Sequence, residues 1–510
     1  MRFNGHQAEI RKARLVFKEP DFRAFREQLL KPDRLERASF LFVGHAKRRD
    51  ELVELYVHRM LNPHDGDYAQ QHGAVVEPKA EFILETFRQF AHSGVPGYVH
   101  AHSHPFSEHA QFSAIDDRYF PGTLKSLRSY LWLTQQLRDF LFVRLVYGQE
   151  EEGFTAECFD HGGNHLADVE EIRVVGPSGM KTLRLGEESG PEVLPRFDRN
   201  VRFLGEEGQR RIHQTHIAIC GVGGLGSFVV ACAKGLGFRK ITLVDPDCVE
   251  ETNLNRLVGA IAKDVGKPKV AVMTRELKRY DDHIQVKPIF AHIQDEPARR
   301  AILEADVIIN CLDNDAARLE AQILAARYLK PLMDLGSGIF LDEQKRVKEM
   351  GGQIVFYFPP GGPCLLCQGL DPSKIVSEQI REVQRAVGYI AGTSETPPAV
   401  ITLNSVIAGM GMDLLARYLT GFAPLPTYMK FDLVQHQKVE LNFQKRPGCP
   451  LCGEEGVEGK GDEIAEPLPS TNSLGAATVR PTPLPTGERV QRSRPFLIAR
   501  WGHFFLRSRR

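Results

Sequence analysis

Short apolar runs recur along the first third of the chain, separated by stretches with helix-like patterning. Ser39–Gly44 (SFLFVG), Gly97–His102 (GYVHAH) and Leu141–Tyr147 (LFVRLVY) are rich in β-branched and aromatic residues and predict strands. From Arg196 to about Phe443 the pattern becomes strand, helix, strand, repeated. Thr215–Cys220, Lys240–Val244 and Asp306–Cys311 read as buried strands separated by helical periodicity, which predicts a parallel sheet with crossover helices. Between the two halves, Gly176–Pro195 (GPSGMKTLRLGEESGPEVLP) mixes glycine, proline and charge and predicts a linker. After Cys452 the pattern is lost. Gly453–Arg489 holds too little apolar surface to offset its ordering entropy, and the basic, aromatic Val490–Arg510 is expected to share its disorder.

Bulk properties narrow the class. A chain of 510 residues should hold two to three domains, and 42% hydrophobic with 25% charged residues is ordinary for a globular protein. Lys+Arg and Asp+Glu balance at 65 each, so global charge points to neither nucleic acid nor a membrane surface. No apolar run reaches the length of a membrane span, and the N-terminus lacks the apolar core of a signal peptide. Nine cysteines, four of them in two CxxC pairs, suit a reducing compartment with a metal site. A cytoplasmic location is expected.

The first candidate chemistry lies at His102-Ser103-His104-Pro105, followed after seven residues by Ser113-Ala114-Ile115-Asp116. Strand residues two apart project to one face, so His102 and His104 present paired imidazoles. Pro105 ends the strand, and Asp116 can return as a third ligand from the first turn of a helix. Two His and one carboxylate leave a tetrahedral zinc with one open position, the catalytic arrangement, in which water becomes a nucleophile near neutral pH. Taken alone, Ser113-x-x-Asp116 reads equally as a capping box. As a set with this spacing, the pattern resembles the JAMM metalloprotease motif of the MPN, or JAB, domain, over roughly residues 10–165. The resemblance implies hydrolysis of a peptide or isopeptide bond after the C-terminal glycine of a ubiquitin-like protein. It further implies Glu36 as general acid/base, although Glu51 and Glu54 also lie upstream of the motif, and Ser113 as a donor to the oxyanion.

The second candidate chemistry begins at Gly221-Val222-Gly223-Gly224-Leu225-Gly226, between a strand and a helix. Such a turn brings backbone N–H groups and a helix N-terminus to phosphate. A second strand ends at Asp245, nineteen residues after Gly226, in position for a ribose hydroxyl. This much suits NAD as well as ATP. Asn253, Arg256, Lys269 and Asp313, however, have no purpose in a dehydrogenase. An adenylating enzyme needs cations on the triphosphate and on departing pyrophosphate, which Arg256 and Lys269 supply, and a carboxylate for Mg²⁺, which Asp313 supplies. The ordered set resembles the ubiquitin-activating superfamily, most closely its ThiF and MoeB branch, over residues 196–445. Arg196-Phe-Asp-Arg199-Asn and Gly208-Gln209 resemble that family's entry helix, which implies that Arg199 reaches a partner's nucleotide across a homodimer.

Cys364-x-x-Cys367 and Cys449-x-x-Cys452 offer four thiolates and predict a structural zinc, as in MoeB-type proteins. Thioester-forming relatives place a cysteine near Tyr389–Ile401, where this chain has none, which favours adenylation with direct transfer to an acceptor. Cys248 is the one plausible exposed thiol nucleophile, and Thr393 or Ser394 a conjectural acceptor.

The expected architecture is α/β. A JAB/MPN-type α+β peptidase unit spans 1–175, a linker 176–195, a Rossmann-like ThiF/MoeB adenylation domain 196–452 and a basic tail 453–510. ATP, Mg²⁺, a catalytic zinc and a structural zinc are the expected cofactors. The expected partner is a ubiquitin-like or sulfur-carrier protein ending in glycine, with a conjugating-enzyme-like protein if the product is a conjugate. Thiocarboxylate biosynthesis, a binding scaffold and, distantly, an NAD oxidoreductase are the competing readings.

Overall fold

A computed structural model describes residues 10–48, 51–184, 193–360, 362–373, 375 and 398–462. Its first unit runs β1 (Lys12–Lys18), α1 (Glu19–Leu29), β2 (Ala38–Lys47), β3 (Leu52–Leu61), a small hairpin of β4 (Tyr68–His72) and β5 (Val75–Pro78), and α2 (Ala80–His92). It continues through β6 (Gly97–Ser103), α3 (Ala114–Leu133), β7 (Leu141–Tyr147), β8 (Phe154–Asp160), β9 (His165–Gly176) and β10 (Gly179–Leu183). The sheet order is β1-β3-β2-β6-β7-β8-β9-β10, and β1 also pairs with β9, which closes the strands into a ring. Closure explains the unbroken apolar run of β2, because both faces of that strand are covered. Leu41 and Val43 join Leu15, Leu55, Val99 and Leu145 inside the ring. Phe40 and Phe42 point the other way and pack on Phe87 and Phe90 of α2 and Leu127 and Leu131 of α3.

The second unit contains α4 (Asp198–Gln214), β11 (His216–Cys220), α5 (Gly224–Leu236), β12 (Lys240–Val244), α6 (Lys269–Tyr280), β13 (Gln285–Ile289) and α7 (Glu296–Leu303). These are followed by β14 (Val307–Asn310), α8 (Asp315–Arg327), β15 (Leu332–Leu341), β16 (Val347–Tyr357), α9 (Ile401–Thr420), β17 (Tyr428–Asp432) and β18 (Gln437–Glu440). The order is β13-β12-β11-β14-β15-β16-β17-β18, parallel from β13 to β15 and antiparallel beyond. Helices α5, α6 and α9 bury one face, and α7 and α8 the other. The order in which strands are added reverses between β11 and β14, which run parallel, and this switch creates the crevice where open α/β sheets bind ligands. No described helix is long and apolar enough to cross a membrane.

Two expected boundaries move. The segment expected as a linker carries β10, paired antiparallel with β9, and Gly179 lies so near α9 that a Cβ there would meet Tyr418 O at 2.8 Å. The expected tail also starts too early, because residues 453–462 lie between the two units and Glu458 is buried there. Among the described residues neither segment forms an α-helix, so no helical periodicity marks it in the sequence. The rest of the expected tail, and Thr393 and Ser394, lie outside the described residues. The units share a core in which Val16, Ala46, Tyr56 and Val175 pack with Leu324, Tyr328 and Leu332.

Candidate active sites

β6 and the loop after it bring the first set together. His104 N–H donates to Tyr147 O at 2.9 Å, which extends the ladder one residue past β6. Ser113 caps α3. Its hydroxyl accepts from Asp116 N–H at 3.3 Å, and Asp116 Oδ2 accepts from Ser113 N–H at 2.6 Å. The capping box and the ligand set are therefore one device, since the cap aims the carboxylate at the imidazoles. His102 Nε2 lies 3.3 Å from His104 Nε2 and 3.0 Å from Asp116 Oδ1, and His104 Nε2 lies 3.6 Å from Asp116 Oδ2. Tetrahedral zinc with bonds near 2.1 Å spaces such ligands about 3.4 Å apart, so the set fits the ion. Burial works against ionised Asp116, yet hydrogen bonds from both imidazoles hold its carboxyl well below the usual range.

Glu36 sits just ahead of β2, whose Ala38 pairs with His102 across the ladder. Its carboxylate is buried and lies 3.9 Å from His104 Nε2, and burial raises its pKa. The other upstream acids go elsewhere. Glu51 pairs with Arg11 at 2.9 Å, and Glu54 binds Arg14 at 2.8 Å and accepts from Tyr56 OH at 2.7 Å, on the way to the second unit. Two neighbours were not anticipated. His100 stacks on Phe40 with centroids 4.9 Å apart, and burial drives its pKa down to about 3, so this third histidine of the alternation is a core residue. Ser103 Oγ accepts from Arg37 N–H at 3.0 Å and pins β6 to the Glu36 segment.

The second set gathers at the C-terminal ends of β11, β12 and β14. Gly221 has φ +85°, and a Cβ there would meet Cys311 O at 2.9 Å. A Cβ on Gly226 would lie 1.9 Å from Gly221 O, and one on Gly224 would lie 2.5 Å from Asn404 Nδ2. Gly223, the N-cap of α5, faces open space. Asp245 is buried beneath the loop, where burial raises its pKa; it accepts from Val222 N–H at 2.8 Å and from Asp247 N–H at 2.9 Å. Each oxygen keeps a further lone pair.

Asn253 ends a short turn and accepts from Glu250 N–H at 3.3 Å, while Arg256 donates to Thr252 O at 2.6 Å with its aliphatic stem against Gly224. Lys269 begins α6 and binds Asp247 Oδ2 at 2.8 Å. Asp313 is exposed on the turn after β14, and Arg199 is exposed on the first turn of α4. A buried network supports the Asp313 turn. Asn310 Nδ2 donates to Asp334 Oδ1 at 2.7 Å, and Arg318 joins Asp334 to Asp315. Its one sequence signal is the presence of polar residues at the ends of apolar strands.

The four cysteines converge. Cys364 Sγ lies 3.5 Å from the sulfurs of Cys449 and Cys452, and Cys367 Sγ lies 3.6 Å from that of Cys452. Zinc–sulfur bonds of about 2.3 Å space tetrahedral sulfurs ~3.8 Å apart, so the thiols fit one ion. Burial pushes the Cys158 and Cys220 thiols up to about 12, which leaves them unreactive, whereas Cys248 is exposed.

With this geometry in view, the model of the ThiF family matches residues 197–451. The molybdopterin-synthase adenylyltransferase of Escherichia coli K12 is 30% identical over 275 residues, covering 53% of this chain and 100% of that protein. The sulfur carrier protein ThiS adenylyltransferase of the same organism is 26% identical over 51% of this chain and 94% of its own length. The SAMP-activating enzyme E1 of Haloferax volcanii is 25% identical over 52% of this chain and 91% of its own.

Proposed function

The chain belongs to the ThiF family, and from that premise we propose that residues 196–452 adenylate the C-terminal glycine of a small ubiquitin-like or sulfur-carrier protein. Residues 1–175 are, in this reading, a JAMM-type zinc peptidase acting on the same protein. The observation that carries the first half is the crevice between β11 and β14, where the glycine loop, Lys269, Arg256 and the Asp313 turn converge in a chain whose relatives are adenylyltransferases by name. The glycine loop and the first turn of α5 cradle the phosphates, and Asp245 takes the ribose with its remaining lone pairs. The substrate carboxylate attacks the α-phosphorus, the bond to the β-phosphate oxygen breaks, and an acyl-adenylate and pyrophosphate result. Lys269 and Arg256 neutralise the charge that accumulates on pyrophosphate, and Asp313 would hold Mg²⁺, which would shield the phosphates. Arg199, exposed on α4, is offered to a second copy of the chain.

In the peptidase half, His102, His104 and Asp116 would hold zinc, which supplies a Lewis acid and lowers the pKa of water toward 7. Glu36, with its raised pKa, is suited to take a proton and return it to the leaving amine. Ser113 Oγ, after accepting from Asp116 N–H, has its own hydrogen left for an oxyanion. The half either trims the modifier before activation or removes it from a target.

Sulfur transfer through a thiocarboxylate is the second reading. It is favoured by the sulfur-carrier relative and by Cys248 being the sole exposed cysteine among the described residues.

ATP–pyrophosphate exchange with a glycine-ended candidate protein, with and without extra C-terminal residues, tests the whole. Exchange that requires the free glycine, with extended protein accepted only when His104 is intact, is the expected result. Exchange absent with every candidate, from protein that binds ATP, defeats it.

A further inference from the structure

The four-cysteine site is rooted in the ThiF-like unit, but the chain that leaves it crosses to the other unit. Cys449 and Cys452 supply two of the thiols, and Gly453–Asp462 follows at once. On the ThiF-like side, Tyr357 OH donates to Glu458 Oε1 at 2.7 Å and Gly461 N–H donates to Arg327 O at 3.0 Å. On the other side, Asp462 N–H donates to His45 O at 2.7 Å, and His58 Nδ1 bonds Glu458 O at 2.8 Å. The fit is tight at two glycines. A Cβ on Gly44 of β2 would come within 2.3 Å of Lys460 C and O, and one on Gly461 would lie 2.4 Å from His45 O.

We propose that residues 453–462 are a clasp that fastens the first unit to the second, and that metal in the four-cysteine site is its lock. The proposal rests on the metal reading of the cysteines and on neither catalytic reading. Ordering ten residues against two surfaces costs conformational entropy, and fixing the root at Cys452 removes part of that cost in advance. The far end of the clasp lies on β2 and β3. β2 follows Glu36 directly and pairs with His102, so the lock stiffens the strand that carries the candidate peptidase geometry. Coupling of this kind is reciprocal: if metal holds the clasp, a released clasp must weaken metal retention.

Reciprocity supplies the test. The full chain is substituted with cobalt, and the thiolate-to-cobalt charge-transfer band, a signal that the His/His/Asp set cannot produce, is titrated to equilibrium against a competing chelator. Gly44→Ala, in the other unit, and Gly461→Ala, in the clasp, should each bind cobalt about tenfold more weakly than wild type at equilibrium. Gly461→Ala lies outside both sheets and decides the matter alone if Gly44→Ala fails to fold. Unchanged cobalt affinity in Gly461→Ala, or in a folded Gly44→Ala, overturns the proposal. A wild-type protein with no thiolate-to-cobalt band overturns the lock and the metal reading together, with pyrophosphate exchange left standing as a separate question.

Discussion

A methyl group at Gly226 would sit 1.9 Å from Gly221 O, so the glycine loop is closed upon itself before any nucleotide arrives. The motif is legible in the sequence for this reason, because backbone crowding leaves only glycine. The cations beside it are legible only as a set, since each alone is an ordinary surface charge. Lys269 lies against Asp247 with its side chain only 13% exposed. Lys269→Ala should cut ATP–pyrophosphate exchange by roughly 10²–10³-fold, while the free energy of unfolding falls by only about 1 kcal/mol. Glu36 behaves differently: the sequence names it only through the family resemblance, with Glu51 and Glu54 also upstream, and the structure sends Glu54 to Arg14 and leaves Glu36 facing His104. Glu36→Gln keeps the shape and removes the titrating proton. It should lower cleavage of an extended modifier by about 10²–10⁴-fold, with pyrophosphate exchange on mature modifier unchanged.

Elements buried on both faces, such as β2 and β11, announce themselves as continuous apolar runs, and their existence and type were legible. β10 was not, because Gly179–Leu183 is a short edge strand whose stability comes from β9 and from the approach of α9. The elements that meet between the units carry a titration signature. Asp306, just ahead of β14, pairs with Arg173 of β9 at 2.5 Å and accepts from His216 N–H at 2.9 Å. Burial opposes its ionisation, but Arg173 and the His216 amide outweigh it and hold the pKa at about 2. The folded pKa lies below the unfolded one, so this stability is complete above about pH 4 and is lost as pH falls toward 2; it amounts to roughly 2 kcal/mol. Asp306→Asn should flatten that part of the profile, as measured by urea midpoints of variant and wild type between pH 5 and 2. Parallel profiles would remove Asp306 from the account.

In the whole molecule, the nucleotide crevice opens at the C-terminal ends of β11, β12 and β14, whereas the first unit docks at their N-terminal ends through Asp306 and Tyr328. The first unit and the nucleotide crevice therefore lie at opposite ends of these strands, and on the proposed function a modifier is expected to leave one site before it reaches the other. An equimolar mixture of His104→Ala and Lys269→Ala should process and activate extended modifier as fast as wild type with the same concentration of each intact site. A mixture markedly slower than that would mean direct transfer within an assembly. The sequence by itself determined what depends on local stereochemistry. It specified the buried strands, the glycine loop, the capping box that aims Asp116, and the pairing of two CxxC hairpins, each readable because a few adjacent residues satisfy a strict geometric demand. Only the tertiary structure decided that Glu36 meets the histidines, how the linker and the first ten residues of the tail join the two units, and at which end of the second sheet the first unit docks. Those depend on contacts between residues far apart in the chain, whose partners no local pattern names.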